Sequence, residues 1–267
     1  MVTAETEQQR KRREELRCLF DGVAGLYNAT RQGYPAEIVD AVCAEAGLGP
    51  GAEVLEIGCG TGQLTRDLAG RAFNLTAIDI SPAMIEVARS NVADPMTRFQ
   101  ASSFEDFTGN GPVDLIVSAT AFHWVDPAVG LAKAARLIRP GGWLALLSTE
   151  ERYPEPLRTR LRELWTRYSR RTVRSAVQPA WVTTLQETDL FGETVELLHT
   201  RALRLPAEAV LGVERTRATF LSYSEHDQAE FASGLSALLE PDSHIDVVQE
   251  TILSMAPAAI ATTAPRR

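Results

Sequence analysis

Between residues 53 and 148 five short apolar runs alternate with segments of helical periodicity, and this alternation restricts the fold more than any other feature of the chain. The runs are EVLEI (53–57), LTAID (75–79), TRFQA (97–101), VDLIVSA (113–119) and WLALLS (143–148). Between them, residues 62–71, 82–92 and 128–138 carry apolar side chains at helical spacing. Two strands joined by a helical crossover of this length lie parallel, since a parallel return needs a dozen or more residues. A parallel sheet is buried on both faces, which is why its strands read as apolar runs and not as alternating ones. The middle of the chain is therefore α/β.

The flanks read differently. Residues 36–46 form one more helix, stopped at GLGPG (47–51), where three glycines and a proline end one element and launch the first strand. Beyond the core, 157–170 is helical, 194–205 extended, 207–219 and 227–239 helical, and 244–255 alternates like a last strand. Two late strands imply an antiparallel edge with helices inserted between them. The expected division is an N-terminal helical lid over 1–46, a ligand-binding core over 47–150 and a C-terminal part over 151–267 that completes the sheet. The tail APAAIATTAPRR is expected to fray.

Composition narrows the partners. A net charge of −8 with 35 acidic against 27 basic residues argues against a nucleic-acid surface, which needs clustered Lys and Arg. Two basic runs, RKRR (10–13) and RYSRRTVR (167–174), lie in helix-like segments near glutamates and read as solvated helix faces. No apolar run approaches the roughly 20 residues of a membrane span, and the N-terminus is charged where a secretory signal is apolar. A cytoplasmic address is expected. Cys18, Cys43 and Cys59 lack zinc or disulfide spacing and read as ordinary thiols in a reducing compartment.

The stretch EVLEIGCGTGQL sets Gly58, Gly60 and Gly62 directly after the first strand, where an open parallel sheet brings its backbone closest to a ligand. Glycine permits positive φ and carries no Cβ, so the chain turns sharply and exposes its amides. The spacing G-x-G-x-G is one residue shorter than the dinucleotide fingerprint. Glu56 precedes the loop, and Asp79 ends the second strand 79 − 56 = 23 positions later, placed to accept bonds from ribose hydroxyls. An adenosine-bearing ligand follows.

VLEIGCGTGQLT, AIDISPAMIEVAR, DLIVSATAFHWVD and LIRPGGWLALL, in this order, resemble the class I S-adenosylmethionine-dependent methyltransferases, in particular the trans-aconitate methyltransferase-like small-molecule type. The likeness covers about 51–148, and YNATRQGYPAEIVD extends it upstream. It implies a doubly wound, Rossmann-like, mostly parallel seven-stranded sheet with helices on both faces, an antiparallel C-terminal edge strand and an N-terminal helical lid. It also implies S-adenosyl-L-methionine as cofactor. By position, Gly58, Gly60, Thr61 and Gly62 would line its methionine end, with Glu56 orienting the loop or the amino group. Asp79 would hold the ribose, Ile80 and Met84 would sandwich the adenine, and Ser103 and Phe104 would lie at its edge. Many members carry an acidic residue at that edge, whereas here Glu105 and Asp106 come later. Tyr27 and Arg31 of the lid would touch the methionine carboxylate or an acidic substrate, or else pack on the first helix. Small residues after the fourth strand, Ser118, Ala119 and Ala121, suit a loop beneath the reactive methyl.

His123 has two readings. It is a general base that takes the acceptor's proton, or a structural ring whose nitrogens bond backbone carbonyls. Methyl transfer asks mainly for placement and desolvation, which fits the absence of a triad or metal-ligand cluster. His123 and Asp126 on one short loop make a poor cation site, so no metal is expected. Trp124, Trp165 and Tyr168 read as packing residues or acceptor-pocket walls. The expected function is methylation of a small organic molecule at oxygen, carbon or nitrogen, by a monomer or homo-oligomer. The alternatives are a carboxyl O-methyltransferase of a small acid, a non-catalytic cofactor-binding protein of the same fold, and a dehydrogenase.

Overall fold

A computed structural model describes residues 11, 15–109, 111–168, 185–186 and 188–259. The first basic run lies largely outside these residues, as do most of the second and the last eight positions of the tail.

Among the described residues seven strands form one sheet: β1 (Glu53–Ile57), β2 (Asn74–Asp79), β3 (Thr97–Ala101), β4 (Val113–Ala119), β5 (Ile138–Arg152), β6 (Val195–Pro206) and β7 (His244–Pro257). Their spatial order is β3-β2-β1-β4-β5-β7-β6. The first five pair in parallel, and β7 runs antiparallel to both β5 and β6. The expected antiparallel C-terminal edge is present, with β7 inserted inside it and β6 outermost.

Both faces of the sheet are buried, and alternate residues of each strand divide between them. Val54, Leu115, Val117, Ala145 and Leu147 pack with Ile38, Val39 and Val42 of α2 (Ala36–Glu45) and with Leu64 and Leu68 of α3 (Gln63–Leu68). On the other face, Leu55, Ile57, Ile116 and Leu144 meet Leu131 and Ala134 of α5 (Pro127–Leu137). The helix α4 (Pro82–Asn91) starts at Ser81, whose hydroxyl accepts the Met84 N–H at 3.1 Å, followed by Pro82 where no amide donor is needed.

The strand β5 begins five residues earlier than its apolar run. RPGG reads as a turn, yet it forms a bulge in which Gly141 has φ 80° and a Cβ on Gly142 would come within 2.7 Å of the Asp114 carbonyl.

Beyond the carboxyl ends of β5 and β6, a separate helical core gathers α6 (Leu157–Tyr168), α7 (Ala207–Arg215), α8 (Ala218–Leu221) and α9 (Glu225–Ser236). Trp165 and Tyr168 pack there against Phe231 and Tyr223, so they are core residues and not walls of a cleft. The N-terminal α1 (Ala24–Thr30), preceded by a 3-10 turn over Cys18–Val23, leans on α7. A Cβ on Gly212 of α7 would lie 2.2 Å from the Thr30 side chain, so glycine lets the two helices approach. The segment that folds over the sheet is thus shorter than 1–46, because α2 belongs to the sheet's own core.

Candidate functional site

The strand order reverses direction between β1 and β4, and the carboxyl ends of these two strands open into two adjoining clefts, as open α/β sheets do at such a switch point. Counting the solvent open to them, the first spans about 740 Å³ of empty space and the second about 530 Å³. They share Tyr27, Gly58, Gly60, Ala119 and Thr120, which form the partition between them.

The loop after β1 turns through three positive φ angles, 70° at Gly58, 54° at Gly60 and 89° at Gly62. At Gly58 the obstacle to a side chain is the protein itself, since a Cβ would lie 2.2 Å from the Ala121 Cβ. Gly60 instead faces the cleft and the ring of Tyr27, with room at 3.8 Å. Gly62 caps α3 and packs toward Ala88 and Val92 of the next helix, and it lines neither cleft. Thr61 is buried under the loop, its hydroxyl accepting from Gln63 at 2.6 Å, and it too lines neither. Both belong to the loop's framework, because a residue's place in a motif does not say which side of the loop its side chain takes.

The first cleft gathers Asp79, Ile80, Met84, Ser103 and Phe104. The Asp79 carboxylate receives N–H bonds from Gly60 and Ser81, each at 2.9 Å, which fix it at the cleft floor. Burial nevertheless raises its pKa above the usual range, the two amides opposing the shift. The N-terminal segment closes this cleft. Arg17 donates twice to Glu105, at 3.1 and 3.0 Å, and the Asp126 amide donates to the same carboxylate at 2.9 Å. Burial would raise the Glu105 pKa, but these bonds outweigh it and hold the group below the usual range. Asp21 accepts from the Ser81 hydroxyl at 2.6 Å and the Ala83 amide at 3.1 Å, and Phe20 sits edge-on between Tyr27 and Trp124. Arg17 and Asp21 carry no motif, and only their partners reveal their role.

The second cleft is more polar. Arg31 lies over the Tyr27 ring at 5.1 Å and donates to the Thr216 hydroxyl and the Val213 carbonyl. Glu56 is 1% exposed, and its Oε2 has no hydrogen-bond partner. Burial lifts its pKa to about 8, opposed by the neighbouring Thr65 hydroxyl and aided by the Asp79 and Asp67 charges. An orphaned buried carboxyl at a cleft wall fits the cationic amino group of a ligand. Thr149, Glu151 and Gln249, from β5 and β7, complete the far wall, and none of them falls in a sequence motif. Thr120, at the partition, holds the left-handed φ of 56°, and its hydroxyl lies 3.3 Å from that of Tyr34.

His123 sits in a 3-10 turn over Phe122–Trp124 and lines neither cleft. Protein atoms packed around the ring push its pKa down to about 4, a shift tempered by the water that reaches its exposed surface. The neighbouring Trp124, at 4.8 Å between ring centres, reaches the first cleft instead. Among the described residues no group of three metal-ligating side chains occurs, and no helix is long and apolar enough to cross a membrane.

Residues 54–142 match a family model described as a methyltransferase domain. An uncharacterized methyltransferase of Mycobacterium tuberculosis is 35% identical over 136 residues, 51% of this chain and 54% of that protein. The chain thus spans about half the length of the relatives of that type. A ubiquinone biosynthesis O-methyltransferase of Xanthomonas oryzae is 30% identical over 190 residues, 65% of this chain and 76% of that one. In structure, a putative type II methyltransferase from Anaeromyxobacter dehalogenans superposes with a TM-score of 0.59 at 24% identity, over 85% of this chain and 97% of the other.

Proposed function

Because the chain belongs to the S-adenosylmethionine-dependent methyltransferases, we propose that it methylates a small organic molecule held in the second cleft. When bound, S-adenosylmethionine supplies a sulfonium-activated methyl group, so the protein's own share is binding, alignment and exclusion of water. Asp79 would hold the ribose hydroxyls. Met84, Ile80 and Phe104 offer apolar and thioether surface to the flat adenine ring. Glu56 and Arg31 would meet the amino and carboxyl groups of the methionine end.

The observation that carries this reading is the shared partition. A ligand lying along the Gly58 and Gly60 backbone would have its adenosyl half in one cleft and its reactive end toward the other, since both residues line both clefts. Closure of the first cleft by the Arg17 and Asp21 contacts would keep water from the adenosyl half. His123 has no part in this scheme, since the clefts do not reach it. The net charge of −8 suits a small-molecule acceptor better than a nucleic acid. Three free thiols, two of them buried, suit a cytoplasmic location.

The test is calorimetry with S-adenosylhomocysteine. The wild type should bind with a Kd near 1 μM, about −8 kcal/mol, and NAD should not compete. Asp79→Ala should weaken that binding by about 1.5–3 kcal/mol, the worth of hydrogen bonds to a charged group. An unchanged affinity would remove Asp79 from the site, and NAD binding of equal strength would sink the assignment.

A further inference from the structure

The far wall of the second cleft identifies the acceptor's chemistry. Residues Glu151 of β5 and Gln249 of β7 are paired across the two strands, so their side chains share the cleft face. The Glu151 side chain is 6% exposed, and its Oε2 lies 3.5 Å from Arg217 Nη2, a loose contact for an ion pair. The stronger hold on Arg217 is that of Glu214, whose Oε2 accepts from Arg217 Nε at 3.0 Å. The carboxylate of Glu151 therefore retains accepting capacity toward the cleft.

On the other side of β7, Arg201 donates to Gln249 Oε1 at 2.8 Å. Guanidinium only donates, so the amide oxygen must face Arg201 and the amide nitrogen is left to donate into the cleft. An acceptor and a donor thus stand side by side on one wall.

The charge balance agrees. The cleft lining holds the carboxyls of Glu56 and Glu151 against the single guanidinium of Arg31, which is engaged by Val213 and Thr216. With the methionine end facing Glu56 and Arg31, Glu151 is the charge that remains for the acceptor. A carboxylate would be repelled there. An ammonium would satisfy Glu151 and leave the Gln249 donor idle. A hydroxyl satisfies both, donating to one and accepting from the other.

Building on the methyltransferase reading, we propose that Glu151, with Gln249, is the specificity-determining residue of the acceptor site and selects a neutral alcohol or phenol over a carboxylic acid. This goes against the carboxyl O-methyltransferase alternative and gives the O-methylation reading a structural basis.

The test uses the full chain saturated with S-adenosylhomocysteine and matched trios on one skeleton. Benzyl alcohol, benzoate and benzylamine form the first trio, and cyclohexanol, cyclohexanecarboxylate and cyclohexylamine the second, with affinities measured by ligand-observed NMR. The alcohol should bind at least about tenfold more tightly than its carboxylate and more tightly than its amine, and Glu151→Gln should narrow the first gap to within about twofold. If Glu151→Gln does not fold, the wild-type order and Gln249→Ala decide, the latter being expected to lose the advantage of alcohol over amine. The proposal is overturned if carboxylates bind as well as alcohols, if the amine binds best, if no trio member binds, or if Glu151→Gln keeps the wild-type order. Failure of S-adenosylhomocysteine itself to bind would overturn the methyltransferase reading as well, whereas normal cofactor binding without alcohol preference removes Glu151 alone.

Discussion

At the scale of single residues, the two clefts are built from carboxyls that the fold holds in unequal states. Glu105 is ion-paired and kept below the usual range, while Glu56 is buried with one oxygen unpartnered and lifted to about 8. The sign for Glu56 is the reverse of the common carboxylate case. In the unfolded chain it ionises near 4.5, so its contribution to stability is fully present below that pH and is lost as pH rises through about 8. The loss is of order 4 kcal/mol for a shift of this size. Glu56→Gln should therefore match the wild type in Tm near pH 4.5 and exceed it by at least about 5 °C at pH 8, while binding S-adenosylhomocysteine more weakly. Thermal melts across this range check it, and parallel pH profiles of the two chains would refute the assignment. The sequence made Glu56 and Asp79 legible because the first lies in a strand just before a glycine loop and the second ends a strand before a helix start. Glu151 and Arg17 were not legible, since a single charge at the end of a strand or in a leader carries no spacing.

At the scale of elements, the strands that were easiest to read are those set between clear turn or loop residues, the exposed edge strand β3 among them. Residues 53–57, 97–101 and 113–119 were bounded correctly, because turn residues flank apolar runs there. The extension of β5 to Ile138 was hidden by RPGG, where the sheet tolerates a bulge that local turn chemistry disguises. Contacts between α1 and α7 could not be read at all, because they join residues about 180 positions apart in the chain. They rest on Gly212, which stands where a Cβ would meet Thr30 at 2.2 Å. Gly212→Ala should push α1 off α7 and destabilise the chain by about 1–3 kcal/mol, with faster release of S-adenosylhomocysteine. Denaturant titration and stopped-flow dissociation measure both. A more stable Gly212→Ala chain, as expected where helix propensity governs, would show that the helices have room to spare.

At the scale of the whole molecule, the helical core beyond the sheet packs on Leu205 of β6 and Val247 of β7 and is tied to the end of β5 by a buried carboxylate. Glu214 accepts from Tyr153 at 2.9 Å, Trp165 Nε1 at 2.8 Å and Arg217 Nε at 3.0 Å, linking the end of β5 to α6 and α7. Burial would raise its pKa, but Arg217 and the other donors prevail and keep it low. Glu214→Ala leaves the buried Tyr153 and Trp165 donors without a partner and takes from Arg217 its closer carboxylate, and should destabilise the chain by about 3–5 kcal/mol. Asp79 and the glycine loop lie on the opposite half, so the surviving folded fraction should keep its affinity for S-adenosylhomocysteine. An unchanged denaturation midpoint would show that the network contributes nothing. The sheet's order also bears on how the chain comes off the ribosome. Since β7 lies between β5 and β6, neither of these neighbours can be covered until residues 244–257 have been made. Thr149 waits for Thr251, 102 positions later. Throughout that interval the nascent chain offers two bare strand edges to its surroundings, one of them next to the acceptor wall. On the proposed assignment, the half that would bind the nucleoside can thus form early in synthesis, whereas the half that would choose the substrate is assembled last.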